Sequence, residues 1–195
     1  MRGGVSGSSG GSAAIGVCYD KGMEKLVPFQ ADAHGDLALS GSFSYSMGRI
    51  HLKYELRDPE RVVAGGPVNG SFAAGTFTRA EELWRTTCFE AFFGPPGDPT
   101  YWEFNLAPNG RLWNLYRFDS YRKPFPPERS EDFVLDRVSI RDGVVSAVVV
   151  ARMPVTKLEA SLCAVLVTAN GPEYYAVSHA GAKADFHLRG SFCLG

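Results

Sequence analysis

All three tryptophans of the 195-residue chain, Trp84, Trp102 and Trp113, fall within residues 83–122, threaded with Glu90, Glu103, Asn105, Arg111 and Arg117. Aromatic faces beside charged and amide side chains suit a flat ligand rich in hydroxyl groups. The apolar face of a sugar ring stacks, and the charged groups read its hydroxyls. That is a binding composition more than a catalytic one.

Other chemistry has weaker support in the residues. Glu90 and Glu103 are the obvious carboxylate pair for glycoside hydrolysis, which requires a separation of about 5–9 Å that spacing alone cannot supply. No nucleophile elbow, phosphate-binding loop or zinc-binding helix is present, so no catalytic residue is assigned. His179, Asp185 and His187 resemble a metal or relay set. The preferred reading has them tying down the turn after the last strands, with Phe186 packed beneath and no metal bound. Haem needs a well-placed Met or His pair, and Met47 and Met153 lack partners at diagnostic spacing. No cofactor is expected. Cys18, Cys88, Cys163 and Cys193 are far apart and form no CxxC pair, which reads as buried reduced thiols.

The elements that must position these side chains are strands. Residues 50–56 alternate Ile50, Leu52, Tyr54, Leu56 with His51, Lys53, Glu55, a half-buried strand. Phe43 and Tyr45 alternate with serines just before. Further extended runs cover 87–93, 101–107, 111–118, 133–140, 144–152, 162–169 and 173–178. Asn109-Gly110, Asp142-Gly143 and Asn170-Gly171 separate several of them, and Asx-Gly between alternating runs is a strong hairpin signal. Residues 65–78, 95–100 and 123–129 read as loops, and 79–84 as a single helical turn. The expectation is an all-β, antiparallel β-sandwich of eight to ten strands, a two-sheet architecture of jelly-roll or immunoglobulin-like type.

One hairpin can be taken further. A three-residue loop at Pro108-Asn109-Gly110, with Gly110 left-handed, pairs Ala107 with Arg111, Asn105 with Trp113, Glu103 with Leu115 and Tyr101 with Arg117. Trp102, Phe104 and Leu106 then form a dry face, and Trp113 joins Glu103, Asn105, Arg111 and Arg117 on the other. A one-residue slip would bring arginine against Trp102 and Phe104, at a desolvation cost.

Composition bounds the rest. The length suits one domain with a sizeable core. Lys+Arg 20 against Asp+Glu 21 lacks the basic excess of a nucleic-acid binder. No apolar run approaches the roughly 20 residues of a membrane span. Residues 1–25 read as a flexible Gly/Ser-rich tail and residues 26–195 as the domain. The tail lacks the apolar stretch of a secretory signal, so a cytoplasmic location is expected.

The stretches LWRTTCFEAFF, YWEFN-L-P-G, W-x-x-Y-x-F-x-x-YR and YYAVSHAGAKADFHLRGSF resemble the DOMON-like proteins related to family 9 carbohydrate-binding modules. The resemblance runs from about Leu37 to Phe192. It implies an antiparallel β-sandwich that binds sugars, often at a chain end, by clamping a ring between two aromatic side chains; other DOMON domains bind haem. It implies Trp84 as the first clamp aromatic, Glu90 as an acidic hydroxyl reader and Arg111 as a charged sugar contact. Tyr175 stands where related proteins more often carry a second tryptophan. One extra residue lies between Gly110 and Trp113, and Leu188 follows His187 where a second histidine is common.

The expected ligand is a sugar or polyol, bound without catalysis by Trp84, Glu90, Glu103, Asn105, Arg111, Trp113 and Tyr175. The alternative is an interaction domain whose aromatic face docks a protein partner or a second copy of the chain as a homodimer.

Overall fold

The alternating runs become strands, and the computed structural model describes them over residues 22–30 and 35–195. Most of the expected tail, residues 1–21, lies outside the described residues, whereas Glu24 and Lys25 already belong to a strand. Thirteen strands form among the described residues. They are β1 (Glu24–Pro28), β2 (Ala38–Ser46), β3 (Arg49–Arg57), β4 (Gly70–Ala73), β5 (Thr78–Arg79), β6 (Cys88–Gly94) and β7 (Tyr101–Ala107). Then come β8 (Leu112–Phe118), β9 (Glu128–Arg129), β10 (Phe133–Arg141), β11 (Val144–Ala151), β12 (Glu159–Thr168) and β13 (Gly171–Ala176). The count exceeds the expected one because β4, β5 and β9 are short strands within stretches whose glycine and proline content reads as loop.

The hydrogen-bonded order is β4-β10-β11-β3-β2-β1-β13-β12-β6-β7-β8-β5, with β9 added on β8. All ladders are antiparallel except β5 on β8. β1 belongs to both halves of this path: Glu24 to Leu26 pair with β2, and Val27 and Pro28 with β13. The path therefore curls, and its halves face each other across an apolar interior. Phe43 meets Phe93 at 6.4 Å between ring centroids, and Tyr54 meets Phe89 at 5.1 Å. The Tyr54 hydroxyl donates to the Glu90 carbonyl at 2.6 Å, so its polar atom is satisfied inside the core. Each such ring contributes roughly 1.5–3 kcal/mol by leaving water.

The two halves differ on their outer faces. In β3 the odd residues Arg49, His51 and Glu55 are exposed while Ile50, Leu52, Tyr54 and Leu56 are buried. β6 and β7 are buried at every position. Their second face is covered by the 3-10 turn Leu83–Arg85, the loop 119–127 and the carboxy-terminal segment after β13.

Two turns show how local chemistry sets register. Asp142 and Gly143 have φ of 50° and 82°, the type I′ geometry that Asx-Gly favours. The β7–β8 hairpin differs from expectation. Its loop has four residues, Pro108 to Arg111, and the left-handed residue is Arg111 (φ 51°), not Gly110. Arg111 N–H closes the turn on the Pro108 carbonyl at 3.2 Å, its own carbonyl accepts from Thr78, and its guanidinium lies over the Phe72 ring at 4.5 Å. These contacts outweigh the left-handed strain, which is of order 1–2 kcal/mol. The register is consequently one residue off the expected pairing: Asn105 opposes Asn114, Glu103 opposes Tyr116, and Leu106 opposes Trp113. The desolvation objection to this register does not apply, because Arg117, opposite Trp102, is half exposed and pairs with Asp119 at 2.9 Å.

Candidate functional site

The ladders sort β6, β7, β8, β12 and β13 into two faces. Because directly opposed residues share a face, Phe89, Phe93, Phe104, Leu106, Trp113 and Tyr175 look into the core. Cys88, Glu90, Phe92, Glu103, Asn105, Tyr116, Cys163 and Tyr174 look outward. A cleft of about 390 Å³ opens on that outward face, lined by Trp84, Glu90, Phe92, Glu103 and Tyr174 among others. Arg122, Phe125 and Pro127 from the loop after β8, and Ala184, Phe186 and His187 from the carboxy-terminal segment, complete its rim.

The cover is built from the Asp185-Phe186-His187 run. Asp185 accepts from the Tyr121 hydroxyl at 2.6 Å, the Arg122 guanidinium at 3.0 Å and the His187 backbone N–H at 3.1 Å. These donors hold its carboxyl below the usual range even though burial opposes them. Phe186 packs on Phe92 and Tyr174, and His187 on Phe92 and Phe118. His179 bonds instead to the Val27 carbonyl at 2.9 Å, tying the segment to β1. Among the described residues no group of three or more His, Cys, Asp or Glu is placed to hold a metal.

Two carboxylates lie beneath the cover. Glu103 Oε1 accepts from the Asn105 amide at 2.7 Å, and its Oε2 lies 3.7 Å from His187 Nε2. Glu90 is 2% exposed, and its Oε1 has no hydrogen-bond partner. Since Glu90 opposes Asn105, it is the diagonal neighbour of Glu103 on the same face. Burial pushes the Glu90 carboxyl well up, and the nearby Glu103 adds to this. Burial also raises Glu103, to about 7, against the Asn105 hydrogen bond. His187 is driven down to about 3 by burial and then by the Arg122 charge, so its ring is neutral. The Tyr101 hydroxyl accepts from Arg122 N–H and sits 2.9 Å from His187 Nδ1. The tautomer that satisfies both leaves the proton on Nε2, facing Glu103.

The residues singled out in the sequence divide accordingly. Trp84, Glu90 and Glu103 line the cleft. Trp84 stands edge-on to Tyr116 at 5.8 Å. Asn105 is wholly buried behind Glu103 and orients its carboxylate. Arg111 sits in the hairpin loop over Phe72, and Trp113 packs in the core against Phe104 with the Arg79 guanidinium 4.3 Å above its ring. Tyr175 is a core residue, 1% exposed, whose hydroxyl donates to Glu173 at 3.0 Å. Its neighbour Tyr174 takes the cleft position. Arg111 and Trp113 leave the site through the one-residue register shift, and Tyr175 through strand parity: Val165 opposes Tyr174 on the face of Cys88. Counting alternation back from Asn170-Gly171 is the signal that distinguishes the two tyrosines. Arg122, Phe125 and His187 carry no such signal, since loop and tail reach the site only through tertiary packing.

No protein-family model matches the chain, and no curated protein does. Among solved structures, one from Bacteroides uniformis, provisionally described as a carbohydrate-binding protein, is similar to 88% of this chain and 84% of its own. Its TM-score is 0.61 at 13% identity, which establishes a shared fold. A family 9 carbohydrate-binding module from Caldicellulosiruptor kristjanssonii in complex with cellotriose aligns over 80% of this chain and 72% of its own, at 9% identity and a TM-score of 0.42. The chain is thus an antiparallel all-β protein of curled, sandwich-like build, with a cleft on the doubly buried half.

Proposed function

We propose that this cleft binds a saccharide or polyol without catalysing a reaction, on a two-sheet jelly-roll scaffold of DOMON-like type. One observation carries the reading: Glu90, a buried carboxyl in the lining of a ring-bearing cleft, has an oxygen, Oε1, with no hydrogen-bond partner. Burying such an oxygen unpaired costs about 1–3 kcal/mol. A ligand hydroxyl donating to it removes that cost. Trp84 and Tyr174 supply ring faces, Glu103 a second acceptor held in place by Asn105, and Arg122 a donor at the rim. Phe125, 82% exposed at the rim, extends the stacking surface into solvent. The fold shared with the Bacteroides uniformis protein supports the scaffold, while the case for a sugar rests on the cleft.

Stacking at about 0.5–1.5 kcal/mol per ring pair and charged hydrogen bonds at roughly 1.5–3 kcal/mol each suit dissociation constants from millimolar to micromolar. A calorimetric panel of mono- and oligosaccharides tests the reading. Binding in that range is expected, weakened at least tenfold in Trp84→Ala and Glu90→Gln. Silence across the panel overturns it, as does binding unaltered by both substitutions.

A further inference from the structure

The charges around the cleft do not balance. Its acidic lining residues are Glu82, Glu90 and Glu103, and its basic ones Arg85 and Arg122. Arg85 pairs with Glu82 at 2.9 Å on the exposed 3-10 turn, and Arg122 pairs with Asp185 at 3.0 Å. That leaves Glu90 and Glu103. His187 Nε2, 3.7 Å from Glu103, is buried as the neutral ring, and the Arg122 charge that favours an ionised Glu103 is shared with Asp185. Glu90 Oε1 is unpartnered altogether. Two carboxyls buried together with only a shared cation nearby are costly unless they stay protonated or a ligand brings the missing charge.

From these observations, and resting on the saccharide reading above, we propose that the sugar this cleft prefers carries a protonated amine, seated against Glu90 and Glu103 among the rings of Trp84 and Tyr174. An ammonium supplies three donors and favours the ionised carboxylates, whose oxygens only accept, and aromatic faces attract it in addition. Hydroxyls on the same ligand use the remaining acceptor capacity. A bare metal ion suits the site less well. Two carboxylates fall short of the oxygen cage that calcium takes, and the rings around them offer no ligands. Arg85 and Arg122 are the like charges in the lining, and each is already paired, with Glu82 and Asp185.

The test compares glucose with glucosamine and 6-amino-6-deoxyglucose near pH 7, where the amines remain largely protonated and the Glu103 carboxyl titrates, by calorimetry on the full chain. At least one amino sugar is expected to bind ten times more tightly than glucose. In Glu90→Gln the ratio of the two affinities should fall close to one, with Glu103→Gln reducing it to a smaller extent; thermal melts report that both variants are folded. If glucose binds and neither amino sugar improves on it, the amine preference is overturned while the saccharide reading stands. A preference that survives in both folded variants also overturns it. If none of the three sugars binds, and no other saccharide does, the saccharide reading itself falls and takes this inference with it.

Discussion

β3 and β6 both run between neighbouring antiparallel strands, yet they lead different lives. β3 keeps one face in water, and its polar residues cost nothing there. β6 has Cys88, Glu90 and Phe92 on a face closed off by the 3-10 turn, the loop after β8 and the carboxy-terminal segment. A structural cover needs only apolar contacts beneath it. Glu90 and Glu103 under that cover oppose stability, and natural proteins tolerate such groups chiefly where function requires them. The contrast separates residues that hold the fold from residues that hold a ligand.

The sharpest way to break the comparison is to mutate adjacent residues. Phe92→Ala and Phe93→Ala should each cost about 3–5 kcal/mol, since both faces of β6 are packed. Leu52→Ala should cost about 2–5 kcal/mol, while its neighbour His51→Ala stays within about 0.5 kcal/mol. Urea titrations check the set; a harmless Phe92→Ala means that the second face is not closed. Next in size is Asp185→Ala, which removes one charged acceptor from three donors and should cost about 1.5–3 kcal/mol. Amide exchange should accelerate across residues 184–188.

The pH dependence follows with opposite signs from two groups. Glu103 is raised from 4.5 to about 7, so its stabilising contribution is complete below pH 4.5 and is lost as pH rises through about 7. His187 is lowered from 6.5 to about 3, so its contribution is present above pH 6.5 and is lost as pH falls toward 3. Stability should therefore decline from pH 6.5 to above 7 on the carboxyl limb, to which the raised Glu90 adds with the same sign. Glu103→Gln should shrink that decline in melts taken across the range, and an unchanged slope contradicts the assignment. Smallest of all is Phe125→Ala: 82% exposed, it should leave stability within about 0.5 kcal/mol while weakening saccharide binding about threefold, measured by calorimetry.

Much of the fold was legible because alternation survives in the sequence. Residues 50–56, 101–107 and 133–140 read as strands and are strands. The faces were harder. Parity decides which side chains meet, and one residue in the 108–111 loop moved Trp113 into the core and Arg111 onto Phe72. Nothing local favours Arg111 over Gly110 as the left-handed residue; its partners come from β4 and β5. The adjacent Tyr174 and Tyr175 pose the same problem, since both are good strand residues and only the register against β12 separates them. The cover was legible only in part: His179, Asp185, Phe186 and His187 read as tying down the turn after the last strands, as they do, but neither that segment nor 119–127 has a periodicity that places it over β6 and β7.

Indole resonances provide the most direct measurement of the central claim. Trp102 and Trp113 are buried, 2% and 8% exposed, whereas Trp84 lines the cleft. Titrating the labelled protein with a saccharide that binds should shift the Trp84 indole N–H and leave the Trp102 and Trp113 signals in place. A shift confined to Trp113, or three stationary indoles at saturating sugar, would contradict the account.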